Sequence, residues 1–212
     1  MTKETEKYAQ LLLDIQAVNL RPDQPFTWTS GLRSPIYCDN RLVISHPQCR
    51  EEIETGLVNL IKTHYPDVEV IAGTATAGIP HAAIIAHLLD LPMIYVRSQA
   101  KGHGKQNAIE GQLLAGQKVV MIEDLISTGG SVIEAADKVA QAGGQVLGCL
   151  AIFNYCLDKS RQAFDQAGYD LVSLTNYEAL LQLVKQNQIF SPDQEKILAQ
   201  WHHDPELWSQ KY

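Results

Sequence analysis

Residues 119–131 read VVMIEDLISTGGS: an apolar run, two adjacent acids, Glu123 and Asp124, and then a stretch almost without side chains. Ionised carboxylates accept hydrogen bonds and donate none, so a neighbouring pair of acids suits a pair of hydroxyls such as a ribose diol. Ser127, Thr128, Gly129, Gly130 and Ser131 then lead into a helical pattern. Free backbone N–H groups and hydroxyls at a helix start form a cup for a phosphate, with the positive end of the helix dipole behind it. Diol acceptors beside a phosphate cup describe a site for a ribose 5-phosphate. A turn with a Ser or Thr cap accounts for the last five residues alone, but leaves the two acids in register unexplained. The stretch is not a P-loop, since no Lys follows its glycines, and it is not a GxGxxG loop.

These groups must be carried by a strand. The ladder over residues 118–122 predicts a buried strand that delivers Glu123 and Asp124 to a rim. Adjacent strand residues point to opposite faces, so the two acids cannot do the same job. Residues 68–73, 92–97, 145–153 and 169–174 are further short apolar runs, alternating with helical patterns at 79–89, 130–142 and 159–167. That alternation predicts a mostly parallel sheet covered by helices on both faces. Right-handed crossovers then gather the C-terminal strand ends on one rim, where such folds place ligands. Ahead of the sheet, residues 5–18 set Tyr8, Leu11, Leu12 and Ile15 at helical spacing. Residues 26–45 read as β structure with turns at Ser30-Gly31 and Ser34-Pro35, and His46-Pro47 opens another helix. Residues 176–208 are mostly helical. A single α/β domain over residues 1–212 is expected, its core sheet at about 66–175, with residues 1–45 and the C-terminal helices as a small hood.

Composition narrows the partners. Seventeen basic against twenty-four acidic residues give a net charge of -7, and no Lys or Arg run stands out, so general nucleic-acid binding is not expected. Cys38, Cys49, Cys149 and Cys156 form no CxxC pair and read as structural thiols. The first ten residues lack an apolar export core and no apolar run is long enough to span a bilayer, so a cytoplasmic protein without membrane partners is expected.

Residues 119–131 resemble the phosphoribosyl-diphosphate signature of the type I phosphoribosyltransferases. In that family the two acids meet the ribose hydroxyls and the following loop, here Leu125 to Ser131 through Ile126, holds the 5-phosphate. The resemblance makes GTATAGIP at residues 73–80 the pyrophosphate loop, bringing in Thr76 and Ala77. Residues 97–111, RSQAKGHGKQNAIEG, hold Arg97, Lys101, His103 and Lys105 within nine positions, with three glycines and no large apolar side chain before Ile109. Such a loop packs poorly and is expected to move when empty, which suits a positively charged lid over a departing pyrophosphate. This segment is similar to the catalytic loop of the orotate phosphoribosyltransferases, and residues 26–42 resemble their orotate side. GTATAGIPHA has the form seen in Gram-positive bacterial members. The likeness runs over about residues 12–153.

The resemblance implies a pentosyltransferase that moves phosphoribose from phosphoribosyl diphosphate to N1 of orotate, yielding orotidine 5'-phosphate for UMP synthesis. It implies Lys101, His103 and Asp124 as catalytic residues, and Arg97, Lys101, His103, Glu123 and Asp124 among the phosphoribosyl-diphosphate contacts. Ser127, with backbone around Tyr37 and Cys38, is implied for orotate. Mg2+ is expected to arrive with the substrate rather than on protein ligands, and a homodimer is expected to share the lid across subunits. The chain departs from relatives at Thr29, Ala77, Ser98 and Tyr155, where others carry Lys, Lys, Lys and an orotate-contacting Arg; no role is assigned to Thr29, Ser98 or Tyr155, and a lysine contact at Ala77 is ruled out. Purine or uracil transferases share the ribose-phosphate signature but not the lid and base segments. A regulator that senses phosphoribosyl diphosphate while binding DNA or RNA would need a basic face or an added binding module.

Overall fold

The computed structural model describes residues 3–28, 30–98 and 108–211. The chain opens with α1 (Lys3–Asp14), then three short pieces of extended chain and one more: β1 (Val18–Leu20), β2 (Phe26–Thr27), β3 (Arg33–Ser34) and β4 (Ile36–Cys38). A 3-10 helix (Asn40–Ser45) leads into α2 (Pro47–His64). The core follows as β5 (Val70–Thr74), α3 (Gly78–Leu89), β6 (Met93–Val96), β7 (Ile109–Glu110), β8 (Lys118–Ile126), α4 (Gly130–Gln141), β9 (Gln145–Asn154), α5 (Asp158–Ala167) and β10 (Leu171–Asn176). Three helices close the chain: α6 (Tyr177–Gln186), α7 (Pro192–His203) and α8 (Pro205–Ser209).

The main sheet runs β10-β9-β8-β5-β6-β7 and is parallel except for β7, which pairs antiparallel with β6. Alternate residues of its central strands enter two separate cores. Ile71, Val120, Ile122, Leu150 and Ile152 pack with α1, α2, α6 and α7 on one side. Val70, Ala72, Val119, Met121, Cys149 and Ala151 pack with α4 and Phe164 of α5 on the other. Both faces are covered, which is why these strands read as continuous apolar runs.

Three readings change. The first helix stops at Asp14 rather than 18, because Gln16 takes a left-handed φ of 58° and Val18 pairs across to Cys38. Residues 40–45 are 3-10 helix rather than β, started by the Asp39 carboxylate accepting from the Arg41 N–H at 3.2 Å. The strand bearing the acids continues to Ile126, where Leu125 and Ile126 pair with Phe153 and Asn154. Among the described residues no helix is long and apolar enough to cross a membrane.

Candidate active site

Sequence dictates the floor of the site. Val119 to Ile122 are fully buried in β8, and their apolar ladder carries the next two residues to the sheet's C-terminal rim. There the two acids part company, as alternating strand geometry requires. Glu123 is only 6% exposed. Its carboxyl accepts from the Ser131 hydroxyl at 3.3 Å and from the Asp124 N–H at 3.1 Å. Burial, then the Asp124 charge, pushes its pKa up to about 8. Asp124 is half-buried and open to the cleft. The chain therefore offers one solvated carboxylate and one held inward, not two alike.

Two helices aim their N-termini at this rim. Gly129 caps α4 with a φ of +82°, and a Cβ there would lie 2.6 Å from the Phe164 ring, so the turn needs glycine twice over. Gly78 opens α3, and a Cβ there would lie 2.3 Å from the Ile122 carbonyl oxygen. Only glycine lets α3 approach β8 this closely. Between β5 and α3, Ala75, Thr76 and Ala77 face the acids across a cleft of about 350 Å³ whose lining includes Cys38, Leu125 and Ser131. Hydroxyls, backbone donors and a carboxylate thus converge on one concave surface, which can hold an anion and a diol together.

One contributor was not anticipated. Asn40, fully buried in the 3-10 helix, donates to the Asp124 carbonyl oxygen at 2.6 Å and accepts from the Cys38 thiol at 3.2 Å. It ties the N-terminal segment to the acid-bearing strand. Asp39 and Arg41 beside it line the same cleft, joined through two oxygens at 2.6 and 2.7 Å. Their signal in the sequence is an Asp-Asn pair at a strand end, which reads locally as a turn.

Other expected residues lie elsewhere. Ile126 is buried under α4, so only its main chain can meet a ligand. Tyr37 is exposed, its ring 5.6 Å from Phe26, while Cys38 faces the cleft. Ser127 and Thr128 line a second cavity of about 750 Å³ that reaches Trp28 and the C-terminal helices. Arg97 pairs with Glu110 at 3.1 Å and does not line the acid cleft. Its backbone N–H bonds the Ala108 carbonyl at 2.9 Å, and Lys138 of α4 bonds the carbonyls of Arg97 and Ser98 at 3.2 and 2.8 Å. Lys101, His103 and Lys105 lie outside the described residues, as does Thr29. Tyr155 is 2% exposed within an aromatic cluster with Trp28, Phe153, Tyr177 and Trp201.

The family model for the phosphoribosyl transferase domain matches residues 45–184. The orotate phosphoribosyltransferase of Enterococcus faecalis is 53% identical over 208 residues, covering 98% of this chain and 99% of its own. Among solved structures, Leishmania donovani UMP synthase is similar with a TM-score of 0.78 and 29% identity over 93% of this chain; this chain spans 42% of that one. The orotate phosphoribosyltransferase of Aeropyrum pernix is similar with a TM-score of 0.74 and 27% identity over 86% of this chain and 99% of its own. The likeness extends through the N-terminal segment and the C-terminal helices as well as the sheet. On these grounds the chain belongs to the orotate phosphoribosyltransferases, within the type I phosphoribosyltransferase fold.

Proposed function

We propose that this chain joins N1 of orotate to C1 of the ribose of 5-phospho-α-D-ribose 1-diphosphate, expelling diphosphate and forming orotidine 5'-phosphate for pyrimidine synthesis. The observation that carries this reading is the convergence of Asp124, residues 75–77 and Ser131 on one cleft above β8. The reaction breaks the C1–oxygen bond to diphosphate and makes the N1–C1 bond, while orotate gives up its N1 proton. The N1 anion is delocalised onto the adjacent C2 carbonyl and, through the C5–C6 double bond, onto the C4 carbonyl, so no strong base is required. Positive charge grows on the sugar and negative charge on the diphosphate, and the protein's part is positioning and electrostatics.

Asp124 accepts from the ribose hydroxyls and favours positive charge on the sugar. Glu123, inward and held toward its neutral form, supports Ser131 and the Asp124 backbone from below. The 127–131 turn takes the 5-phosphate on its N–H groups, and residues 75–77 meet the diphosphate. Lys101 neutralises the leaving group, with His103 supplying a proton or hydrogen bond. Residues 1–45 and the C-terminal helices serve as the hood over the base.

Among the described residues no cluster of three or more His, Cys, Asp or Glu could hold a metal ion, but the cleft offers the hard oxygen donors of the Asp124 carboxylate. That donor set fits a Mg2+ which brings most of its ligands with the diphosphate. When bound it supplies positive charge to the leaving oxygens. The likeness of residues 97–111 to the catalytic loop of the orotate phosphoribosyltransferases supports a homodimer in which this segment serves the neighbour's site.

A spectrophotometric assay with phosphoribosyl diphosphate and Mg2+ tests the reading, with orotate, uracil and hypoxanthine in parallel. Orotate should be consumed far faster than uracil or hypoxanthine, with equimolar diphosphate released. Turnover of another base in its place would discard the orotate assignment and keep the ribose-phosphate site.

A further inference from the structure

The cavity lined in part by Ser127 and Thr128 is about 750 Å³, larger than the acid cleft, and the C-terminal helices contribute to its lining. Its apolar wall is Trp28, Leu32 and Leu157. Trp28 is held in place, its indole N–H donating to the Ile36 carbonyl at 3.1 Å and its ring meeting Trp201 edge-on at 5.9 Å. A fixed aromatic face beside an apolar slot accommodates a planar heterocycle.

The C-terminal helices form a built wall of this cavity. The Arg33 N–H donates to the Ser209 hydroxyl at 2.8 Å, joining β3 to α8. His202 hydrogen-bonds the Tyr155 carbonyl at 2.8 Å and stacks on Tyr177 at 4.7 Å. An anionic ligand entering such a slot needs a cation, because a carboxylate buried without one is strongly disfavoured. Tyr155, deep in the aromatic cluster, brings none.

Among the described residues the lining contains one lysine. Lys159, in the first turn of α5, reaches Glu206 of α8 at 3.3 Å, and both residues line the cavity. Their side chains are 70% and 72% exposed, and so open a pair contributes little to stability. A ligand carboxylate can therefore take Glu206's place on Lys159 with small loss. The other acids of the wall are already engaged: Asp158 pairs with Arg161 at 3.3 Å, and Asp204 caps α8 through the Leu207 N–H at 2.9 Å.

We propose that Lys159, bridged in the empty protein to Glu206, is the cation that receives the carboxylate of the pyrimidine substrate, so that α5 and α8 take part in choosing the base. This rests on the orotate reading above. Steady-state kinetics of the full-length wild type, Lys159→Gln, Lys159→Arg and Glu206→Gln test it, with orotate and with uracil, which lacks the carboxylate. Lys159→Gln should raise KM for orotate at least about tenfold, the scale of one lost charge-assisted hydrogen bond, and leave KM for phosphoribosyl diphosphate within about twofold. The preference for orotate over uracil should fall by the same factor, Lys159→Arg should regain most of it, and Glu206→Gln should leave KM for orotate unchanged or lower. An unaltered orotate KM in Lys159→Gln overturns the proposal, as does an equal loss for both substrates or a tenfold rise in Glu206→Gln. Wild type that turns over no orotate overturns the parent reading and this one together; wild-type turnover with an indifferent Lys159→Gln overturns this one alone.

Discussion

Glu123 shows how one residue position decides the chemistry of a pair. Its neighbour faces the cleft while it faces the core beneath, and burial raises its pKa from the ordinary 4.5 to about 8. Between those pH values the folded protein keeps a proton that the unfolded chain has released. The resulting contribution to stability is complete below about pH 4.5 and is lost as pH rises through about 8. Glu123→Gln fixes the neutral form, so its melting temperature relative to wild type should climb between pH 5 and pH 8.5, by at least about 3 °C. Parallel Tm curves for the two proteins across that range would mean that Glu123 is not held neutral. The same side chain also explains why an acceptor-only view of both acids was too simple, since neutral carboxyls donate as well as accept.

At the scale of elements, the site depends on how closely α3 comes to β8. Gly78 makes the approach, with the Ile122 carbonyl where a methyl group would otherwise sit. Gly78→Ala should push the start of α3, and residues 75–77 with it, away from Asp124. Overpacking of this kind costs about 1–3 kcal/mol. The variant should therefore unfold at lower urea and show a raised KM for phosphoribosyl diphosphate, with the orotate KM less affected. Wild-type urea midpoint and KM would show that the contact relaxes freely. The clamp at the base of residues 97–108 belongs to this scale too: β6, β7 and Lys138 hold both ends of that segment to the sheet and α4.

At the scale of the whole molecule, the proposed homodimer is tested through residues 97–111. Arg97 at the root of this loop pairs with Glu110 at 3.1 Å. If the loop crosses to a partner, Lys101→Ala and Asp124→Asn subunits are each inactive alone. Mixed and reassorted, they form some heterodimers with one intact site, and activity should return to about a quarter of wild type. No recovery after verified exchange would place the loop over its own cleft.

Much of this was legible in the chain itself. Val- and Ile-rich runs alternating with helical patterns determined the covered, mostly parallel sheet, because a strand buried on both faces has no polar side to show. The spacing of Glu123, Asp124 and the residues to Ser131 determined the rim and its ligand class, since strand, acids and helix start are contiguous in sequence. What the sequence could not specify is what distant segments bring. Asn40 reaches Asp124 from 84 positions away, α8 meets β3 across 176, and the β7 edge is too short to carry a pattern of its own. Glu123's proton likewise depends on how many atoms surround it, not on its neighbours in the chain. Periodicity records which face of a segment is buried, whereas the partner that buries it is settled only when the whole chain packs.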